Sequence, residues 1–226
     1  MTKQVNLEKS IEAIGLRLVA CSQPCAGIHR DQRVGSLPRC LFLESHKRQA
    51  SRGAAIIGIN PGRATKQEQA FYRERGGTYS AVKEWFADLG FRHPYYVRLR
   101  GLADQLELAG PLLWTELAKC ENASDQSGLP PLPTLRRCTG LFLRAELALL
   151  PPNWPLIAVG GEAYKALAYL HPERTIIGVP HPTGSYGHFA RLFATGSLIT
   201  SVKNTAINAL HSPIGQIIWL QSVSAA

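Results

Sequence analysis

The sequence has no apolar run long enough to cross a bilayer. One of its longest, residues 141–150, is broken by Arg144 and Glu146. Its opening stretch, MTKQVNLEKSIEAIGLRLVAC, lacks the apolar core of a secretion signal and reads as an amphipathic helix. A cytoplasmic protein, or one associated with the nucleoid, is therefore expected, and no membrane partner. Internal repeats and flexible linkers are also missing, and ASDQSGLPPLP at 123–133 reads as a local loop. Charged residues are sparse, at 18% against 45% hydrophobic, which excludes a disordered chain. The 226 residues are ample for one sizeable core, and the whole chain, 1–226, is taken as a single domain.

Acidic residues are the scarcer charge. Sixteen Asp and Glu stand against twenty-five Lys and Arg, which gives +9 and an isoelectric point near 9.6. The basic residues recur along the chain and form no tail: Arg63, Lys66, Arg73 and Arg75, then Arg92, Arg98 and Arg100, then Arg136 and Arg137. A polyanion that offers phosphates fits this surplus, and so does a merely soluble basic enzyme.

Apolar runs alternate with helical periodicity. Residues 54–59 read as a buried strand, and 80–89 as a helix with Val82, Trp85, Phe86 and Leu89 on one face. Residues 112–118 read as a second strand, and Thr134 as the cap of a helix that runs to about residue 149. PLIAVGGEAYKAL then reads as strand, glycine turn and helix, TIIGVP as a further strand, and 202–210 as the last helix. This alternation predicts an α/β fold, a three-layer α/β/α sandwich with a mostly parallel central sheet. Ligands of such sheets lie beyond the carboxyl ends of strands, where Asn60 and the HPTGS segment at 181–185 fall.

Four of the five cysteines form two pairs. Cys21 and Cys25 are separated by three residues, Cys120 and Cys138 by seventeen. Without a secretion signal a disulfide framework is the weaker explanation, and buried free thiols are the plain one. Four thiolates brought together hold either zinc or an iron–sulfur cluster, and spacing alone does not choose between them. Cys40, in LPRCLF, reads as a strand residue and the spare.

IIGINPGRA, residues 56–64, ends an apolar run on Asn60-Pro61-Gly62. Taken alone it is a strand closed by a turn. Taken together, Gly58-Ile59-Asn60-Pro61-Gly62, TELAKC at 115–120, Cys138, VGG at 159–161 and HPTGS at 181–185 resemble the uracil-DNA glycosylase superfamily. Order and spacing are similar to its iron–sulfur branch from about Cys21 to about Ser185. The GINPG form of the first motif resembles the mismatch-specific and single-strand-selective branches.

The resemblance implies a monofunctional glycosylase that acts on DNA containing a damaged base, working as a monomer. It implies a 4Fe–4S cluster on Cys21, Cys25, Cys120 and Cys138, with zinc as the alternative, tying residues 1–50 to the rest. Asn60 would orient the attacking water, because a neutral amide cannot serve as a general base. His181 would donate a hydrogen bond to the base oxygen as negative charge develops there. Gly58, Ile59, Tyr72 and Glu116 match base-binding positions, with Phe71 the competitor of Tyr72 as the stacking ring. Thr183, Ser185 and Arg191 would contact DNA, and Tyr186 would fill the vacated stack. No lysine stands in the GINPG, VGG or HPTGS motifs, so no Schiff base and no lyase step is expected.

One position departs from the pattern. Where the iron–sulfur branch carries an asparagine that reads uracil with one donor and one acceptor, this chain has Glu116. An ionised carboxylate only accepts. Either Glu116 is protonated in a dry pocket and still reads uracil, or it selects another base, or uracil activity is lost. A damaged-DNA-binding module of the same fold that excises nothing is the alternative in the last case.

Overall fold

The computed structural model describes residues 2–45, 52–88, 90–123 and 129–222. In chain order they form helix α1 (Thr2–Val19), strands β1 (Ile28–His29), β2 (Phe42–Glu44) and β3 (Ala54–Gly58), then helices α2 (Lys66–Glu74), α3 (Tyr79–Asp88) and α4 (Pro94–Gln105). Strands β4 (Leu112–Glu116) and β5 (Glu121–Asn122) follow, with helices α5 (Leu132–Cys138) and α6 (Arg144–Ala148), strand β6 (Leu156–Val159) and helix α7 (Gly161–Leu170). The chain ends with strands β7 (Ile176–Val179), β8 (Phe193–Ala194) and β9 (Ser197–Leu198), helix α8 (Thr200–His211) and strand β10 (Ile217–Trp219).

The fold is α/β, a six-stranded, mostly parallel sheet with helices around it, as the strand–helix alternation predicts. Sheet order is β10-β7-β6-β3-β4-β2, and β10, β7, β6 and β3 run parallel, each to the next. Every residue of β3, β4, β6 and β7 is buried, so these strands have no solvent face to alternate with. That is why β3, β6 and β7 read as unbroken apolar runs, while β4 ends on the buried polar pair Thr115 and Glu116.

The chain divides into two compact units. One comprises Met1–Leu43, Ile59–Gly90 and Trp114–Pro151, the other Glu44–Gly58, Phe91–Leu113 and Pro152–Ala226. In the first, α1 lies close against α3: a Cβ on Gly15 would sit 2.2 Å from the Tyr79 ring. Tyr79 is buried and donates its hydroxyl to the Leu41 carbonyl at 3.1 Å. In the second, Gly160 turns the chain from β6 into α7 at φ 88°, a left-handed value that a side chain resists.

Some expectations change. The helix read from Thr134 begins earlier, at Leu132, with prolines at its start, and Thr134 is inside it. Thr134 Oγ1 donates instead to the Ala26 carbonyl at 2.8 Å, which pins the helix to the residue just after Cys25. Cys138 is the last residue of α5, and a π-helical turn, Thr139–Leu143, separates it from α6. Cys40 is not in a strand but in a buried bend at φ 64°. Leu89 and residues 46–50 and 124–128 fall outside the described residues.

Candidate functional site

β3 and β7 are parallel strands on either side of β6, so they end at one edge of the sheet. β3 continues in two residues to Asn60, and β7 in two residues to His181. Gly58 is buried, and the Ile59 carbonyl accepts the Ala118 amide at 2.8 Å, which fixes the chain just before Asn60. The half-buried Asn60 donates Nδ2 to the Pro61 carbonyl at 3.2 Å. Its Oδ1 accepts no hydrogen bond among the described residues. Gly62 is exposed, its φ is not left-handed, and a Cβ there would meet nothing within 4 Å. The fold itself does not require glycine at this position.

His181 is held from its own loop. The Thr183 amide donates to Nδ1 at 3.3 Å, so Nδ1 is unprotonated and the ring proton sits on Nε2. Partial burial lowers the pKa of His181 below its ordinary value and favours this neutral form. The Tyr95 ring packs beside it with centroids 5.3 Å apart, and Arg98 donates to the Pro182 carbonyl. Ser185 Oγ donates to the His181 carbonyl at 2.6 Å, so its proton is engaged within the loop. Arg191 and Tyr186 are exposed, Tyr186 at 96% with φ 49°. Sequence reasoning counted Arg98 only among the basic residues and missed Tyr95, because HPYYVRLRG carries no motif beyond a proline that starts a helix.

Glu116, the last residue of β4, is 7% exposed, and its Oε2 has no hydrogen-bond partner among the described residues. Burial pushes its pKa up to about 8, although Lys119 and Arg39 pull the other way. Both cations are engaged elsewhere. Lys119 Nζ pairs with Glu146 Oε2 at 2.8 Å, and Arg39 with Glu68 and Glu121. At neutral pH the Glu116 carboxyl is therefore mostly protonated, with one O–H donor and one carbonyl acceptor, as a carboxamide has. Tyr72, expected to stack on a base, is 0% exposed and packs against Phe71 and Trp85 with centroids 6.0 and 6.1 Å away. Phe71 is half-buried and carries the Arg75 guanidinium 3.8 Å above its ring.

Arg39 and Glu121, which sequence reasoning did not single out, are 3% and 1% exposed. Arg39 Nε meets Glu68 Oε1 at 2.8 Å, and Nη2 meets Glu121 Oε2 at 3.2 Å. Burial works against the Arg39 charge, but Glu68 and its other anionic neighbours raise its pKa above the ordinary value. Burial likewise opposes the Glu121 charge, and hydrogen bonds from Ser36, His29 and the Ala64 amide, with Arg39, hold its pKa below the usual one. The signal for Glu68 was present in the sequence: Thr65 caps α2 by accepting the Glu68 amide at 3.1 Å, the Thr-x-x-Glu pattern of a helix start.

All five cysteines are free thiols. Cys21, Cys25, Cys120 and Cys138 line one cavity, together with Arg30, Lys119 and Arg137. Burial pushes the Cys120 thiol up to about 12, and the neighbouring Cys138 sulfur adds to this. Burial pushes Cys138 up to about 11, although Lys119 opposes it and its amide donates to Cys138 Sγ at 3.3 Å. Among the described residues no three His, Cys, Asp or Glu side chains stand close enough together for a single metal ion. No protein-family model matches the chain, and a search among curated proteins finds no significant match.

Proposed function

We propose that the protein is a monofunctional DNA glycosylase that hydrolyses the N-glycosidic bond of uracil or a related deaminated base and leaves an abasic site. One observation carries the reading: two parallel strands, β3 and β7, end at the same edge of the sheet and run directly into Asn60 and a neutral, oriented His181.

The chemistry follows from those groups. Cleavage leaves positive charge on the sugar and negative charge on the departing base. The Asn60 carbonyl accepts a hydrogen bond from the attacking water and aims its oxygen at the sugar, a positioning role. His181 Nε2–H donates to the base oxygen as the anion grows, and a fixed donor of this kind is worth about 3 to 4 kcal/mol. The protonated Glu116 offers its donor to the ring carbonyl and its acceptor to the ring N–H, which makes uracil readable without an asparagine. Gly62, which the fold does not require, leaves room for the DNA backbone to approach. The positive charge supplies phosphate contacts from exposed residues such as Lys66 and Arg136. In this reading the protein acts as a monomer in the cytoplasm.

Cys21, Cys25, Cys120 and Cys138 would hold a 4Fe–4S cluster, which would crosslink the segment after α1 to the loop after β4 and the end of α5. The absorbance spectrum of aerobically purified protein checks this: a broad visible band is expected, and a colourless protein with bound zinc would replace the cluster by the alternative ion.

Single-turnover release from oligonucleotides carrying uracil, hypoxanthine or xanthine tests the function, with wild type compared with Asn60→Ala and His181→Ala. Uracil release is expected, with a loss of about 100- to 1,000-fold in His181→Ala at unchanged folding. Full activity in both variants would sink the site, and binding without release of any base would make the protein a damage-recognition module.

A further inference from the structure

The turn at residues 60–64 is gripped from outside by two buried charges that are bound to each other. Arg39 Nη2 donates to the Gly62 carbonyl at 2.5 Å, and Glu121 Oε2 accepts the Ala64 amide at 2.7 Å. The same Oε2 meets the same Nη2 at 3.2 Å, so both halves of the grip move together. Glu121 is fixed in turn through Oε1, which accepts Ser36 Oγ at 2.6 Å and lies 2.9 Å from His29 Nδ1. The Arg39 amide donates to the Lys119 carbonyl at 2.8 Å, which ties Arg39 to the strand end that carries Glu121.

Stability is a weak reason for this arrangement, because a buried ion network is often no better than apolar packing of the same volume. What it does supply is direction: a forked guanidinium and a carboxylate each place one backbone group of the turn, the Gly62 carbonyl and the Ala64 amide. We propose that Glu121, seated by Arg39, is a positioning residue that fixes the turn carrying Asn60. Its effect on catalysis rests on the glycosylase reading, while its effect on the turn does not.

Amide hydrogen exchange at Ala64, measured together with single-turnover uracil release, tests this in wild type, Glu121→Gln and Glu121→Ala. Gln keeps an oxygen for Ala64 and Arg39 and turns its amide toward Ser36 and His29, so protection at Ala64 is expected to persist. Ala is expected to speed exchange there by about tenfold, the equivalent of one lost hydrogen bond. The same variant should slow base release by about 10- to 100-fold with oligonucleotide affinity unchanged. An Ala64 amide that exchanges as fast in wild type as in Glu121→Ala overturns the proposal, as does slowed release with exchange unchanged. If Glu121→Ala does not fold, Arg39→Lys decides, because one ammonium cannot serve Gly62 and Glu121 and also reproduce the separate Nε contact with Glu68 that seats the fork; protection equal to wild type would then overturn it. If wild type releases no base, the glycosylase reading fails and the exchange result still decides whether the grip exists.

Discussion

A carboxyl group at the end of a buried strand must be paired or neutral, and Glu116 Oε2 is unpaired among the described residues. Its pKa is raised from 4.5 to about 8, so the folded state holds the proton more tightly than the unfolded chain. The stability this gives is full below about pH 4.5 and lost as the pH rises through about 8. Urea midpoints of wild type and Glu116→Gln should therefore diverge in favour of Gln across that window and run parallel above it. Uracil release by wild type should decline as the pH climbs through about 8, while Glu116→Gln, permanently neutral, should keep its rate. The sign for His181 is opposite: its depressed pKa moves the acid limb of activity below pH 6.5, which a rate profile down to about pH 5 would read. That Asn60 and His181 follow the ends of strands was legible in the sequence, because each sits in a short motif after an apolar run. The charge state of Glu116 was not, because it rests first on burial and then on Arg39 and Lys119 being held by Glu68, Glu121 and Glu146, none of which lies within two positions of it.

At the scale of elements, the end of β4 is joined to α6 by a buried pair. Lys119 Nζ and Thr115 Oγ1 both donate to Glu146 Oε2, and Lys119 and Glu146 are 1% and 0% exposed. Glu146→Ala leaves a buried ammonium without its carboxylate and should cost about 3 to 5 kcal/mol in urea unfolding, while Lys119→Met with Glu146→Leu should recover most of it. β3, β6 and β7 could be read directly because burial on both faces leaves them uniformly apolar. α2 could not: KQEQAFYRE buries only Glu68 and Tyr72, so its apolar periodicity is faint and its cap is the clearer sign. Nor could the early start of α5, where prolines that would end a helix elsewhere open one.

For the whole molecule, the glycosylase reading and the surplus of nine positive charges lead us to expect that affinity for an oligonucleotide should fall with salt, and Lys66→Ala should reduce the log–log slope by about one if that side chain meets a phosphate. The α/β architecture was readable from the alternation of patterns, but the sheet order was not, because neighbours in the sheet are distant in the chain. β3 lies between β4 and β6, and its Ala55 is in register with Leu156. That distance has a consequence for biosynthesis. At about 5 to 20 residues per second, the ribosome delivers β6 roughly 5 to 20 seconds after β3, and until then the edge of AAIIG that pairs with β6 lies bare beside wholly apolar side chains. A nascent chain stopped near residue 150 should therefore aggregate or be captured by a chaperone, and one extended past β7 should not.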